Sequence, residues 1–332
     1  MKKKLFKILI VVVSTTLATA LLLLPLPSLA NSLSGDDKAR LLKSLNHTIG
    51  EQYVMIENIG QIEQSLSILA DSRDFQHLDD ATAVAKTISG VLRQYDQHFT
   101  VQFSAPDKTG PKSKAGEGWF TRLDRKNAGF NKVEILEGNV GYIEFWGFAE
   151  LTDKSRARAE AVMLLVADTE ALIFDLRNNG GGSAAMDQLL SSYLFDGKTQ
   201  LNSIYSRATN TTIEYWTNDN ISGAKRPSTP VYLLTSKDTY SAAEAFAYSL
   251  KHLERATVIG ETTKGGANPW QFFPLIDGFR AGIPVAKAVN PVTNSNWEGN
   301  GVIPDIKTSR EDAFAVAYKM ALSEVKSRAI DP

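Results

Sequence analysis

Two turns in the sequence combine residues that acyl-transfer chemistry needs. Ser241 follows an apolar run, 231–234, and precedes a helix-forming run that begins at Ala242. The glycine run 180–182 follows a second apolar run, 171–174. Amides at a helix N-terminus can stabilise an oxyanion, and glycine lets a second backbone approach closely enough to add another amide. A serine hydroxyl between two such donors is suited to attack on a carbonyl.

The same serine has a purely structural alternative. Glu244 follows Ser241 by three positions, the spacing of a capping box, in which both side chains only satisfy amides at a helix start. Three further features favour chemistry: the apolar run before the serine, the glycine turn, and residues elsewhere that could act as a base and its orienting partner. We therefore predict that Ser241 is a nucleophile.

A serine nucleophile needs a general base, and histidine is the usual one. The chain has four histidines. His47 and His77 lie in segments typical of solvated surface residues, and His252 is about three helical turns from Ser241. His98 remains as the candidate base, and a structural role is the alternative for it.

The elements that must position these residues alternate along the chain. From residue 155 onward we predict a helix, a strand, the glycine turn, a helix, a strand, the serine turn, a helix and a strand. The predicted bounds are 156–166, 171–176, 186–195, 231–235, 242–253 and 257–260. Upstream, 133–136 and 141–145 predict a hairpin. Strands that alternate with helices predict an α/β fold whose sheet is covered on its faces.

Residues 31–103 have a different pattern. Apolar residues recur at spacings of three and four from Leu41 to Ile59, which predicts an amphipathic helix, and two more helices follow. These helices predict a small N-terminal helical bundle as a separate domain. A polar, turn-rich segment, 104–117, comes next, so we predict that the α/β core occupies 104–325.

The first thirty residues predict export. Basic residues precede an apolar run, 8–24, and Ala30 ends a Ser-Leu-Ala sequence. These are the parts of a secretory signal that is cut after Ala30 and directs a protein to the periplasm or out of the cell. An uncleaved anchor is the alternative, because the run is nearly long enough to span a bilayer. We expect no stable membrane insertion once the signal is removed.

Composition excludes several partner classes. The chain has no cysteine, which excludes disulfides, lipoprotein anchoring and thiolate metal sites. Loss of residues 1–30 removes four lysines and no acid, which moves the formal net charge from −1 to about −5. No basic patch with interleaved aromatic residues stands out, so nucleic acid is not an expected partner. We expect neither a cofactor nor a metal.

Several motifs in a fixed order resemble one family. They are Gly141-Tyr142-Ile143, Asp175-Leu176-Arg177-Asn178-Asn179-Gly180-Gly181-Gly182, Thr239-Tyr240-Ser241-Ala242-Ala243-Glu244, Gly260-Glu261-Thr262-Thr263 and Trp297-Glu298-Gly299-Asn300-Gly301. Over about residues 85–310, the chain is similar to the tail-specific (C-terminal processing) proteases, the tricorn core proteases and the interphotoreceptor retinoid-binding modules. The resemblance implies a crotonase-like (ClpP/crotonase) core of β-β-α units and a peptide or protein substrate.

The family has two catalytic styles, which use different bases. In the tail-specific style a lysine pairs with the serine, but its position falls on Gly266, and Lys264 is displaced by two residues. In the tricorn-like style a histidine and a glutamate complete the site, and the resemblance places these roles on His98 and Glu298. A loop salt bridge is the structural alternative for Glu298, and Glu261 is a weaker rival for its role.

The sequence therefore predicts an exported serine peptidase of the tricorn-like type. Ser241 attacks the scissile carbonyl, His98 takes its proton, and Glu298 orients the imidazole. The expected oxyanion donors are the amides of Ala242, Gly181 and Gly180. A neighbouring Glu298 carboxylate is expected to raise the pKa of His98 above its usual value of about 6.5.

Two rival hypotheses remain open at this point. A non-catalytic carrier of an apolar ligand, resembling the retinoid-binding modules, would have a broken triad. A crotonase-type acyl-transfer enzyme would need coenzyme A, and the export signal argues against that cytosolic cofactor.

Overall fold

The computed structural model describes residues 32–104 and 117–330. The predicted signal, 1–30, and most of the predicted linker, 104–117, lie outside the described residues. The helices are α1 (Gly35–Gln52), α2 (Ile59–Asp71), α3 (Arg73–His77), α4 (Ala81–Leu92), α5 (Trp119–Arg125), α6 (Asp153–Leu165), α7 (Ala184–Ser192), α8 (Ala242–His252) and α9 (Ala313–Ile330). The strands are β1 (Thr100–Phe103), β2 (Phe130–Leu136), β3 (Val140–Phe145), β4 (Ala171–Asp175), β5 (Gln200–Ser206), β6 (Thr211–Trp216), β7 (Val231–Thr235), β8 (Thr257–Gly260), β9 (Trp270–Pro274), β10 (Phe279–Pro284), β11 (Ala286–Val289) and β12 (Ile306–Lys307).

A six-stranded mixed sheet forms the centre of the molecule, in the order β12-β8-β7-β4-β3-β2. All of its neighbouring strands are parallel except β2 and β3, which form an antiparallel pair. The predicted hairpin and the predicted alternation of helices and strands are thus confirmed. The turn between β2 and β3 uses Gly138 and Asn139 at positive φ, 75° and 55°, a conformation that these two residue types adopt most readily.

The two faces of the central sheet bury different side chains. In β4, Leu172 and Phe174 join a core shared with α6, α7 and α8, whereas Ala171 and Ile173 join the opposite core with α9. Every residue of β4 is buried. The alternation follows from the two-residue repeat of a strand, and burial on both faces explains why β4 is an unbroken apolar run in the sequence.

The N-terminal helices pack on a second sheet rather than only on one another. Their apolar core includes Leu45 and Ile88 together with Val101 of β1 and Ile283 of β10. This antiparallel sheet has the order β1-β10-β9, so two of its strands come from far along the chain. The N-terminal helices are therefore tied to the segment 270–284.

A third sheet has the antiparallel order β11-β5-β6. Sequence analysis did not find it, because β5 is polar at several positions and the exposed strand β6 has no alternating apolar pattern. Within the described ranges, no helix has the length and apolar character needed to cross a membrane.

Candidate active site

The turns that follow β4, β7 and β8 meet at one edge of the central sheet. These strands are parallel neighbours, so their carboxyl ends lie side by side. The glycine turn follows β4, the serine turn follows β7, and the turn 261–266 follows β8. The topology therefore brings together three segments that are far apart in the sequence.

Ser241 lies at the junction between the serine turn and α8. Its backbone has φ 57° and ψ −120°, a conformation that non-glycine residues rarely adopt. Backbone strain of this kind persists where the surrounding structure holds it, often at functional sites. The side chain is half-buried, whereas Ala242 and Ala243 behind it are buried.

The glycine turn packs directly against this strained residue. Gly181 has φ 83°, and a Cβ added to it would lie 2.5 Å from the Tyr240 carbonyl oxygen and 2.7 Å from the Ser241 Cβ. The Tyr240 amide also donates to the Asn179 carbonyl at 3.0 Å. Only glycine can occupy position 181, because any side chain there would displace the serine.

The backbone amides of the glycine turn differ in what they bind. The Gly180 amide donates to the Trp146 carbonyl at 3.1 Å, and the Gly181 amide donates to Asn179 Oδ1 at 2.9 Å. Two of the three donors expected for the oxyanion, the Gly180 and Gly181 amides, are therefore engaged within the protein. The Gly182 and Ala242 amides pair with no acceptor among the described residues, and both residues line the same pocket as Ser241.

Asn179 holds the glycine turn in place, a role that sequence analysis missed. Its side chain accepts from the Gly181 amide and donates to the Phe145 carbonyl at 2.9 Å, and the residue is completely buried. Arg177 instead pairs with the Asp175 carboxylate of β4. The asparagine, not the arginine, positions the turn.

His98 lies between α4 and β1, and only 4% of its side chain is exposed. Its ring contacts the ring of Tyr240, with 4.7 Å between centroids. The Nδ1 atom is buried and has no hydrogen-bond partner among the described residues. Among the described residues, which include both side chains, no hydrogen bond joins this imidazole to the Ser241 hydroxyl. The structure therefore places the histidine beside the serine turn without a direct hydrogen bond to the serine.

Two carboxylates lie near His98. Glu298 accepts from the Gln97 amide at 2.9 Å and from the Ala267 amide at 2.6 Å, which fixes it between the histidine loop and the turn after β8. Asp96 Oδ1 lies 3.9 Å from His98 Nδ1 and accepts from the His98 amide at 3.0 Å. Sequence analysis missed Asp96, although its spacing of two residues from the histidine was visible.

The expected pKa of His98 is wrong in direction. Burial lowers this pKa to about 3, and the positive charge of Lys264 adds to the effect. The same burial raises the pKa of Glu298 and of Asp96, and for Asp96 the Glu298 charge contributes further. The direction of the His98 shift follows mainly from removal of the imidazole from water, because a buried cation loses its hydration.

Asp96, His98 and Glu298 are also a set of possible metal ligands. One ligand atom from each lies within 4.8 Å of the others. Ligands at about 2.0–2.2 Å from one tetrahedral zinc ion would lie roughly 3.5 Å apart. Asp96 Oδ1 and His98 Nδ1 lie 3.9 Å apart, and each carboxylate already accepts hydrogen bonds from the protein.

Glu244 connects the serine turn to the turn after β8. Its fully buried carboxylate accepts from the Ser241 amide at 2.8 Å, the Thr263 hydroxyl at 2.5 Å, the Gly265 amide at 2.6 Å and the Gly266 amide at 2.9 Å. Burial raises its pKa to about 7, and these hydrogen bonds oppose the rise. Glu244 therefore holds the serine backbone as well as capping α8.

We expect Glu244→Gln to lower the free energy of unfolding by at least about 2 kcal/mol. The side-chain NH₂ of the new glutamine is itself a donor, so it could not accept the hydrogen bonds that one Glu244 carboxylate oxygen now accepts. Urea denaturation measures this change. Glu261→Gln is the matched control, since Glu261 accepts one long, exposed hydrogen bond of 3.3 Å, and we expect it to change stability by less than about 0.5 kcal/mol. Equal effects of the two substitutions would contradict the anchoring role of Glu244.

Lys264 and Gly266 are arranged differently from a serine–lysine pair. Lys264 is exposed, and its Nζ lies 4.4 Å from the centroid of the Tyr240 ring, with no hydrogen bond to Ser241. A Cβ at Gly266 would lie 2.2 Å from the Tyr240 ring. The tyrosine therefore fills the space that a side chain at position 266 would need.

We expect Lys264→Ala to keep most of the activity and to move the acidic limb of kcat/KM to higher pH. The groups that face His98 are Asp96, Glu298, Tyr240 and Lys264, and the lysine charge disfavours protonation of the imidazole. Its loss should therefore raise the pKa of His98, whose neutral form is the active one. A pH–rate profile of both proteins measures the shift. A limb that stays in place or moves to lower pH would contradict this coupling.

Known proteins match this chain in sequence and in fold. The sequence model described as Peptidase family S41 matches residues 139–308. The carboxyl-terminal-processing peptidase 2 of Arabidopsis thaliana chloroplasts is 31% identical over 237 residues, which are 66% of this chain and 45% of that relative. The chain thus spans less than half the length of this curated relative.

Two solved structures share the fold at low sequence identity. A candidate peptidase from Parabacteroides merdae superposes with a TM-score of 0.61 at 17% identity, covering 87% of this chain and 97% of that one. The photosystem II D1 C-terminal processing protease superposes with a TM-score of 0.50 at 17% identity, covering 82% and 93%. At these identities the likeness shows the mixed α/β fold and nothing about the reaction.

Proposed function

Since the chain belongs to peptidase family S41, we propose that it is an exported serine peptidase that hydrolyses peptide bonds through Ser241, His98 and Glu298. One observation carries the proposal: Ser241 is held in a strained conformation against the glycine turn. The neighbouring amides of Gly182 and Ala242 donate to no acceptor among the described residues. A hydroxyl next to two free amides is the arrangement that a tetrahedral acyl intermediate requires.

The proposed reaction follows from these positions. The Ser241 hydroxyl oxygen attacks the scissile carbonyl carbon, and His98 accepts the hydroxyl proton and returns it to the leaving amine. The Ala242 and Gly182 amides stabilise the oxyanion, while Asn179 keeps the Gly181 amide occupied and the turn in place. Catalytic hydrogen bonds often tighten only when substrate binds, so the absent link between His98 and Ser241 is compatible with this role.

Glu298 is proposed to orient His98, and Asp96 is the second carboxylate that could do so. Glu298 is held by amides from both neighbouring segments, so its position is fixed before substrate arrives. The low pKa of His98 keeps the imidazole neutral and able to accept a proton at all pH values near neutrality, although a base of low pKa is intrinsically weaker. An ionised carboxylate beside it would strengthen the base during the reaction.

The finer description of the fold is also a proposal. We infer that the α/β part, 104–325, is a crotonase-like core of β-β-α units, and that 31–103 is an N-terminal helical domain. The succession β2-β3-α6, β4-α7, β7-α8 and β8 supports the first inference. The core that α1, α2 and α4 share supports the second, and this core also takes in side chains of β10 from the α/β part.

The substrate is proposed to be a peptide or protein, as the name of the Arabidopsis relative implies for that protein. A carrier of an apolar ligand gains no support, because the relatives reported above are named as peptidases or proteases. The direct test is labelling of the purified protein with a fluorophosphonate probe, with His98→Ala and Glu298→Ala beside the parent. We expect the probe to label the parent protein and to label His98→Ala far less. Equal labelling of all three proteins would contradict the triad.

Export is the part of the proposal that concerns residues outside the described ranges. We expect the mature protein to begin near Asn31 and to be recovered in the periplasm or the medium, because of the Ser-Leu-Ala boundary before that residue. N-terminal sequencing of the protein from each cell fraction measures this. A start at Met1 in the membrane fraction would show a retained anchor.

A further inference from the structure

A pocket next to Ser241 contains polar groups that the proposed mechanism does not use. Gly182, Ser241 and Ala242 are among the residues that line this pocket. The pocket extends between α7, α8 and the β11-β5-β6 sheet. Most of its wall is apolar, and includes Ala245, Ala267, Ala288 and Trp297. Four polar side chains, Asp187, Gln188, Asn202 and Tyr215, interrupt this apolar lining.

Asp187 is a buried carboxyl group with one intramolecular hydrogen bond. It lies in α7 with 6% of its surface exposed, and the Ser191 hydroxyl donates to its Oδ1 at 3.0 Å. Its Oδ2 accepts no hydrogen bond from any described residue. Burial raises the pKa of this carboxyl to about 7. A carboxylate oxygen that lines a mostly apolar pocket and has no protein donor leaves a place for a donor from outside the protein.

Asn202 provides an independent second acceptor. It lies in β5, on a different element from Asp187, with 8% of its surface exposed. Its Oδ1 is buried and has no hydrogen-bond partner. Two different elements, α7 and β5, therefore bring acceptors to the pocket lining, and neither Asp187 Oδ2 nor Asn202 Oδ1 accepts a hydrogen bond from a described residue.

We propose that this pocket binds the side chain on the acyl side of the scissile bond and selects one that ends in a hydrogen-bond donor. The proposal rests on the proposed function, because a carbonyl held by the Gly182 and Ala242 amides places the side chain of its own residue at the mouth of this pocket. The apolar wall contacts the stem of that side chain, and Asp187 and Asn202 accept hydrogen bonds from its end. The substrate class is thus a peptide cleaved after a residue such as lysine or threonine.

The test compares matched peptides that differ only in the donor. Lysine is paired with norleucine, which keeps the stem without the ammonium group, and threonine is paired with valine. We expect kcat/KM of the wild-type protein to favour the donor-bearing member of at least one pair by about tenfold or more, as expected for a hydrogen bond to a buried charged group. The pair with the larger ratio of kcat/KM between its two members shows which length of side chain the pocket accepts.

Variants assign the preference to the pocket. Asp187→Asn keeps an acceptor for Ser191 but removes the carboxylate, and we expect the preference to fall below about twofold while the norleucine and valine peptides change by less than about threefold. Ser191→Ala is the matched control, since it removes only the internal partner of Asp187 and should keep the preference. Asn202→Leu provides a second test that does not depend on whether Asp187→Asn folds, and it should also reduce the ratio.

Each outcome decides between the alternatives. The inference would be overturned if, for both peptide pairs, the wild-type protein gave nearly the same kcat/KM with and without the donor. If that cleavage still requires Ser241, the proposed function stays intact. A preference that persists in Asp187→Asn and in Asn202→Leu would also overturn the inference. Failure of every peptide to be cleaved in a Ser241-dependent manner would overturn the proposed function and this inference together.

Discussion

Ser241→Ala is expected to abolish peptide hydrolysis and fluorophosphonate labelling while the protein stays folded. The substitution removes the nucleophilic oxygen, and loss of a serine nucleophile in a triad that acts as a unit lowers kcat by roughly 10⁶-fold. Alanine retains the Cβ, so the strained backbone at φ 57° and its contact with Gly181 are unchanged. The Glu244 hydrogen bond to the residue 241 amide also remains, because the backbone donates it.

A matched control separates chemistry from helix capping. Ser34 begins α1 in a capping box with Asp37, far from the site in sequence and on a different element. Ser34→Ala should lower stability by about 0.5–2 kcal/mol, the usual value for a lost N-cap, and leave activity unchanged. Rate measurements and urea denaturation of both variants complete the test. Substantial peptidase activity in Ser241→Ala would show that the nucleophile is another residue.

His98→Ala is expected to have the second largest effect, a loss of roughly 10³-fold or more in kcat. The substitution removes the proton acceptor, and in a triad the base and the nucleophile act as a unit. The effect on labelling should be comparable, because the probe also requires an activated hydroxyl. His77→Ala is the control, since His77 is an exposed histidine at the end of α3.

The ranking of two variants decides which base the protein uses. Activity should fall far more in His98→Ala than in Lys264→Ala, because the lysine amine lies over the Tyr240 ring. Near-normal turnover in His98→Ala combined with an inactive Lys264→Ala would favour a serine–lysine pair instead. Melting temperatures of both variants identify any loss that comes from unfolding.

Features that depend on short-range pattern were predictable from the sequence. Apolar runs and periodicity were sufficient to predict β4, β7, α8 and the β2–β3 hairpin, because the repeat of a strand or helix is written in neighbouring residues. The position of Ser241 at a helix start and the glycine turn after β4 are local for the same reason. Membership of the family was also visible, since its motifs keep their order along the chain.

The assembly of the site depends on contacts between distant parts of the chain. Glu298 reaches the Gln97 amide across 201 residues, and Asn268 reaches Asp96 across 172, and no local pattern encodes such contacts. Which amides of the glycine turn remain free depends on where Trp146 and Asn179 lie. The pKa of His98 moved opposite to the prediction because burial is a property of everything packed around a residue, and a charged imidazole loses its hydration when it is buried.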